Sequence, residues 1–189
     1  EQLKWSRFHD FPAGQMYAVV QELVFPFIKG LHTDKDSAYA KYMGDAIFKI
    51  PTPLMLEKIV TAMDEIYAQA EQIHDADVRG DIYEYLLSKI ATAGVNGQFR
   101  TPRHIIRMMV DMMAPRADDV ICDPACGTGG FLVSAGEYLK ENRKEEIFFD
   151  HQKKDHYMNH MFHGYDMDRT MLRIGAMNMM THGIDNPYI

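Results

Sequence analysis

Two cysteines, one tryptophan, no membrane-length apolar run and no surplus of positive charge define what this chain does without. Cys122 and Cys126 lie four residues apart, and no second cysteine pair or Cys-His set is near enough to complete a tetrahedral zinc site. One is read in a strand and the other in the adjoining turn, which disfavours a disulfide and fits a reducing compartment. No stretch approaches the roughly 20 apolar residues that a membrane helix needs, and no signal peptide opens the chain, so no membrane contact and a cytoplasmic setting are expected. Lysine and arginine total 20 against 27 aspartates and glutamates, a net charge of −7. Residues 1–97 carry 9 basic and 14 acidic groups, residues 98–189 carry 11 and 13, and neither half is a polyelectrolyte binder by charge alone. A grip on nucleic acid would need a local patch, further chain or a partner. The chain opens on Glu1 and stops just after the turn-like Gly183-Ile184-Asp185-Asn186-Pro187, which reads as a fragment.

What is present begins with helical spacing. From about Met16 to Ile90 the apolar residues recur at helical intervals, with Leu54, Ile59, Met63, Ile66 and Tyr67 on one stretch and Ile82, Leu86 and Ile90 on another. Pro12, Pro26, Pro51 and Pro53 are expected to break the stretch into pieces, and Asp81 to start a helix with acids in its first turn. These apolar residues are read as core. Gly94-Val95-Asn96-Gly97 is a breaker, giving an expected helical domain over 1–97 and a second domain over 98–189.

The second part reads loop, helix, strand, loop, helix, polar insert, strand, helix. Its first helix is expected to start at Thr101-Pro102, with the hydroxyl as N-cap and proline at the first helical position, and to present Ile105, Met109, Met112 and Met113 on one face. A strand at about 119–123 is nearly continuous in apolar residues, as if covered on both faces. The helix after it turns Phe131, Leu132, Ala135, Tyr138 and Leu139 toward the sheet. Residues 140–159 are read as the end of that helix and an exposed connection. A second strand at about 161–165 leads into a helix carrying Leu172, Gly175, Ala176 and Met179. The pattern predicts a strand–helix–strand unit, the nucleus of a doubly wound fold. Two strands make an incomplete sheet, so the first one is expected to leave an open edge.

Between the strands lies the most informative segment, Asp123-Pro124-Ala125-Cys126-Gly127-Thr128-Gly129-Gly130. An acid and a glycine turn joining a strand to a helix form a cofactor loop. A pyrophosphate would be opposed by a carboxylate at the strand tip. S-adenosylmethionine carries no phosphate; its ammonium and sulfonium are cationic, and Asp123 attracts them. Asp166 ends the next strand, where a carboxylate accepts from ribose hydroxyls, and Met167 beside it offers a polarizable contact to adenine. Asp168 is read as the N-cap of the following helix.

Taken with Gln98-Phe99-Arg100-Thr101-Pro102-Arg103, with Gly164 to Asp168 and with Gly175 to Met180, that loop makes the chain resemble the modification subunit of Type I restriction–modification enzymes, which are N6-adenine DNA methyltransferases. The resemblance covers nearly the whole sequence. It implies an α-helical N-terminal domain followed by the start of a Rossmann-like α/β S-adenosylmethionine-dependent methyltransferase domain. It further implies that Gln98 to Arg103 lie against the methionine part of the cofactor, with Thr101 offering backbone and hydroxyl contacts. Asp123 would face the ammonium, Gly127, Thr128, Gly129 and Gly130 would let the backbone approach, and Asp166 would take the ribose. Arg100 and Arg103 stay open between solvated charges and carboxylate or phosphate contacts. Double-stranded DNA, a specificity subunit, a second modification subunit and a restriction subunit are the implied partners.

One departure limits the reading. In that family an Asn-Pro-Pro-Phe-type motif holds the amino group of the flipped adenine, and no such motif occurs here. Asn186-Pro187-Tyr188 is superficially close, but the family has such a segment upstream of the motif. No catalytic residue is therefore assigned, no metal is expected, and the fragment is expected to bind cofactor at most and to be inactive alone. The rival is a subunit-docking or DNA-binding module with a vestigial loop. A nicotinamide enzyme is opposed by the charge of Asp123 and by the long gap from Gly129 to Asp166.

Overall fold

Prolines organise the first helices in the computed structural model, which describes residues 3–30, 38–70, 82–83, 85–86 and 101–189. Two units, 1–78 and 79–189, divide the chain. The boundary expected at 97/98, the helix start at Asp81 and Ile90 lie outside the described residues.

In the first unit α1 spans Trp5–Phe8 and α2 spans Ala13–Val19, directly after Pro12. A π-turn, Val20–Val24, leads without a break into α3, Phe25–Lys29. Pro26 therefore does not break the chain's course as expected. The N–H of Phe25 reaches back to the Val20 carbonyl, and this wider turn takes up the place where a proline lacks an N–H and crowds the preceding turn. α4 spans Ala38–Met43, and α5, Pro53–Ala70, starts with proline at its first position. Phe8, Met16, Val24, Leu56 and Val60 form the core of this unit. The helical reading of α5 holds, but its expected core face does not: Leu54 is 65% exposed, and Ile59 and Tyr67 are exposed too. A narrower stripe four residues apart, Leu56 and Val60, is the one that meets the core.

In the second unit residues 82–83 and 85–86 are helical, and α6 spans Arg103–Met113. It starts one residue later than expected, because Pro102 has extended ψ (138°) and its carbonyl accepts from Ile105 and Ile106 at 2.9 and 3.1 Å; no side chain caps it. Ile106 and Val110 are its buried residues, whereas Met109, Met112 and Met113 are exposed, Met113 to 81%. The covered stripe is the one that α7 meets, not the methionine stripe.

Strand β1 is Ile121–Asp123 and β2 is Phe162–Gly164, paired in parallel with Cys122 opposite His163. Between them come α7 (Gly130–Asn142), α8 (Lys144–Phe148) and α9 (His151–Asn159); α10 (Arg169–Thr181) follows β2. Both strands are shorter than expected, although the ladder extends through Ile121 N–H to Met161 O and Tyr165 N–H to Asp123 O. β1 is not covered on both faces, for Val120 is 62% exposed and Cys122 is exposed; its second edge is also open, since β2 pairs with only one. The far edge of β2 takes Tyr188 instead, through Gly164 N–H to Tyr188 O and Tyr188 N–H to Phe162 O.

Segment 140–159 is not a bare connection. Ile147 and Tyr157 are fully buried anchors, and the Tyr157 hydroxyl donates to the Gly136 carbonyl. Asp150 caps α9 by accepting from Gln152 and Lys153 N–H groups, which hold its carboxyl below the usual range. Leu132, Ala135 and Leu139 of α7 are buried as expected, with Phe131 and Tyr138 half-buried. No described helix is long and apolar enough to cross a membrane.

Candidate functional site

The two parallel strands end side by side, so the residues just past them, Asp123 to Gly130 and Tyr165 to Asp168, share one end of the sheet. Asp123 turns its Oδ1 back to the N–H of Ala125 at 3.0 Å. Cys126 N–H donates to the Tyr165 carbonyl, and Gly129 N–H closes a turn onto the Cys126 carbonyl at 2.8 Å. Gly127 N–H donates to Oδ2 of Asp166 at 3.0 Å. Four of the loop's N–H groups are thus spent within the protein, and the loop is no bare anion cradle.

Two glycines give the loop its left-handed turns. Gly127 has φ +53° and Gly129 has φ +76°, conformations that favour glycine. A β-carbon at Gly127 would meet nothing within 4 Å, so this point of the loop faces open space. At Gly129 it would lie in ordinary van der Waals contact with the backbone of Gly175 in α10, 3.5 Å away.

Asp166 uses both oxygens, Oδ2 toward Gly127 and Oδ1 toward the N–H of Asp168 at 2.8 Å; each oxygen retains a lone pair for a further donor. Asp168 caps α10 through Thr170 N–H at 2.7 Å, as read from the sequence. Met167 stands fully exposed beside them. Cys126 lies buried under this end of the sheet. Its burial, reinforced by the Asp123 and Asp166 carboxylates, pushes the thiol up to about 11.

Of the sequence-predicted residues, Asp123, Gly127, Thr128, Gly129, Gly130, Asp166 and Met167 come together here. Gln98, Phe99 and Arg100 lie outside the described residues. Thr101 and Pro102 are exposed at the head of α6, and Arg103 pairs with Glu137 of α7 at 3.2 Å. Sequence reasoning missed Asn178, a fully buried amide on α10 that donates to the Thr128 carbonyl at 2.9 Å. Its signal was present: an amide in the apolar stripe of a helix, three positions after Gly175.

A groove of about 550 Å³ runs along the open edge of β1, between Met109 and Met113 of α6 and Phe131 and Ala135 of α7. It reaches Asp123 but not Gly127 or Asp166, so it adjoins the loop rather than containing it. Among the described residues no cluster of three His, Cys, Asp or Glu side chains could hold a metal.

A strand, a glycine turn, a buried helix and a second parallel strand make the second unit a parallel strand–helix–strand arrangement, with an acid at each strand tip and the glycine loop at the carboxyl ends of the strands. The chain belongs to the N-6 DNA methylase family, which matches residues 74–189. Over 174 residues it is 30% identical to the methylase subunit of the type I restriction enzyme EcoEI of Escherichia coli, covering 89% of this chain and 34% of that protein. Against the StySPI methylase subunit of Salmonella potsdam it is 32% identical over 153 residues, 77% of this chain and 29% of the relative. A solved chain of a type I R-M system superposes with a TM-score of 0.64 at 24% identity, covering 99% of this chain and 38% of that one. A modification subunit from Vibrio vulnificus YJ016 gives 0.62 at 23%, with coverage of 88% and 34%. These superpositions show the fold. The chain spans about a third of the length of the relatives it matches.

Proposed function

We propose that this chain supplies the S-adenosylmethionine-binding part of an adenine-N6 DNA methyltransferase of the type I restriction–modification kind. The observation that carries the reading is the pairing of charge with backbone at the strand tips. Asp123 and Asp166 stand beside a glycine loop whose N–H groups at 125, 126, 127 and 129 are already bonded within the protein. Such a loop offers carboxylates to a cationic ligand and little to a phosphate.

The residues fit the cofactor in kind. Gly127 opens on free space where a ligand backbone can approach. Asp123 keeps one oxygen for an ammonium, and Asp166 keeps lone pairs for ribose hydroxyls. When bound, S-adenosylmethionine supplies a methyl group made electrophilic by the sulfonium. The chain's own residues bind and orient; none of the 189 residues forms the Asn-Pro-Pro-Phe-type group that would hold an adenine amino group, so no methyl transfer is assigned to this stretch alone. Duplex DNA, a specificity subunit, a second modification subunit and a restriction subunit are the partners proposed with this function; with a net charge of −7 in this chain, the grip on DNA phosphates falls to a local patch, to further chain or to those subunits.

Isothermal titration calorimetry with S-adenosylmethionine, and with NADH as a control, tests the reading. Heat with the first and none with the second supports it. No heat with S-adenosylmethionine overturns it in favour of a docking module with a vestigial loop.

A further inference from the structure

The glycine loop is held from two sides, and only one of them belongs to the strand tips. From below, α10 presses its Gly175 against the loop so closely that a β-carbon there would stand 3.1 Å from the Gly127 carbonyl. One turn along, Asn178 is buried to 0% exposure and its Nδ2 donates to the Thr128 carbonyl at 2.9 Å. The same peptide unit is tied at its other end, where Gly129 N–H meets the Cys126 carbonyl at 2.8 Å. Carbonyl and N–H point in opposite directions across a trans peptide, so these two bonds fix the plane of the Thr128–Gly129 peptide completely.

Asn178 is itself held. Its backbone carbonyl accepts from the His182 N–H at 3.2 Å, from His182 Nδ1 at 2.8 Å and from the Thr181 hydroxyl at 2.8 Å. The helix end behind the amide is therefore a fixed support. Thr128 stands between the positive-φ residues Gly127 and Gly129, and a flip of the Thr128–Gly129 peptide would change only ψ of Thr128 and φ of the permissive Gly129. With the Nδ2 bond in place the flip would break two hydrogen bonds and bury an unsatisfied carbonyl.

We propose that Asn178 is a positioning residue for the cofactor loop: its amide holds the Thr128–Gly129 peptide in the orientation that receives S-adenosylmethionine. This rests on the function proposed above. The role is to preorganise, so its removal is read in ligand affinity beyond any loss of fold.

The test uses the intact protein, wild type and the variants Asn178→Asp and Asn178→Ala, with S-adenosylmethionine affinity measured by calorimetry and folding by circular dichroism without ligand. At pH 8 the aspartate variant faces the Thr128 carbonyl with a second acceptor, and affinity is expected to fall at least tenfold. At pH 5.5 a protonated carboxyl in this buried place donates again, and most of the affinity returns. His182 on the same helix, Glu137 on α7, Cys126 and Asp123 in the loop and Asp166 beyond β2 also surround the site, so wild type at both pH values is the control. The alanine variant is expected to lose affinity at both. A folded aspartate or alanine variant that binds as wild type does at pH 8 overturns the proposal, as does failure of both variants to fold, which would make Asn178 a framework residue only. If wild type itself shows no binding, it is the cofactor reading that fails.

Discussion

Asp166 and Gly127 are joined across the two strand tips: the carboxylate Oδ2 accepts the loop N–H at 3.0 Å, while Oδ1 accepts from Asp168. One acid thereby shapes the loop and remains able to accept from a ligand. Asp166→Ala is expected to lower both stability and S-adenosylmethionine affinity, each by about 1–3 kcal/mol, the cost of hydrogen bonds to a charged group. Thermal melting and calorimetry on the same preparation measure the two, and full affinity in a folded variant would remove Asp166 from the ribose role.

Asp168→Ala removes only the N-cap of α10. Stability is expected to drop by about 1 kcal/mol with affinity unchanged. If affinity falls and stability holds, the two acids have exchanged roles.

Gly127→Ala and Gly129→Ala separate strain from obstruction. Both positions have positive φ, which costs an alanine about 1–2 kcal/mol. At Gly127 the added methyl enters open space, so affinity is expected to fall more than stability. At Gly129 it turns toward Gly175 and Met179 at ordinary contact distance, so only the φ cost applies and affinity is expected to fall no more than stability. Melting temperatures beside dissociation constants decide the ordering.

The two thiols are expected to differ under alkylation. Cys126, buried and pushed up to about 11, stays a neutral thiol at pH 8, and iodoacetamide should label the exposed Cys122 first. A raised thiol value also sets a sign. The folded state keeps a proton that the unfolded chain loses near the ordinary value of 9.0, so this contribution is present below pH 9 and is lost as pH rises toward 11. Peptide mapping after labelling checks the first point, and Cys126→Ser melted at pH 8 and pH 10.5 checks the second.

The glycine loop and the Asp168 cap were legible because each is a local rule: an acid and glycines directly after an apolar run, and a capping residue directly before a helix. Which face of a helix finds a partner is not local. Helix α6 has two apolar stripes, Ile106 with Val110 and Met109 with Met113, and only packing against α7 decides between them. The same ambiguity put Leu54 of α5 into the expected core, whereas it is exposed and Met63 and Ile66 are only half-buried. Helices α8 and α9 escaped notice because each depends on one buried anchor, Ile147 and Tyr157, in an otherwise charged segment. Asn178 escaped because an amide inside an apolar stripe looks like an interruption until its carbonyl partner, fifty residues away in sequence, is seen.

The π-turn at Val20–Val24 also sets helical phase. A regular helix advances about 100° per residue, so Val24, eight positions beyond Met16, would point about 80° away from it. Both nevertheless sit in one core. The wide turn absorbs one residue and brings Val24 back to within about 20° of Met16. Alignments of this helix should therefore tolerate a one-residue gap at 20–24 without turning either side chain outward, whereas a gap on either side of that window would rotate half the helix away from its core.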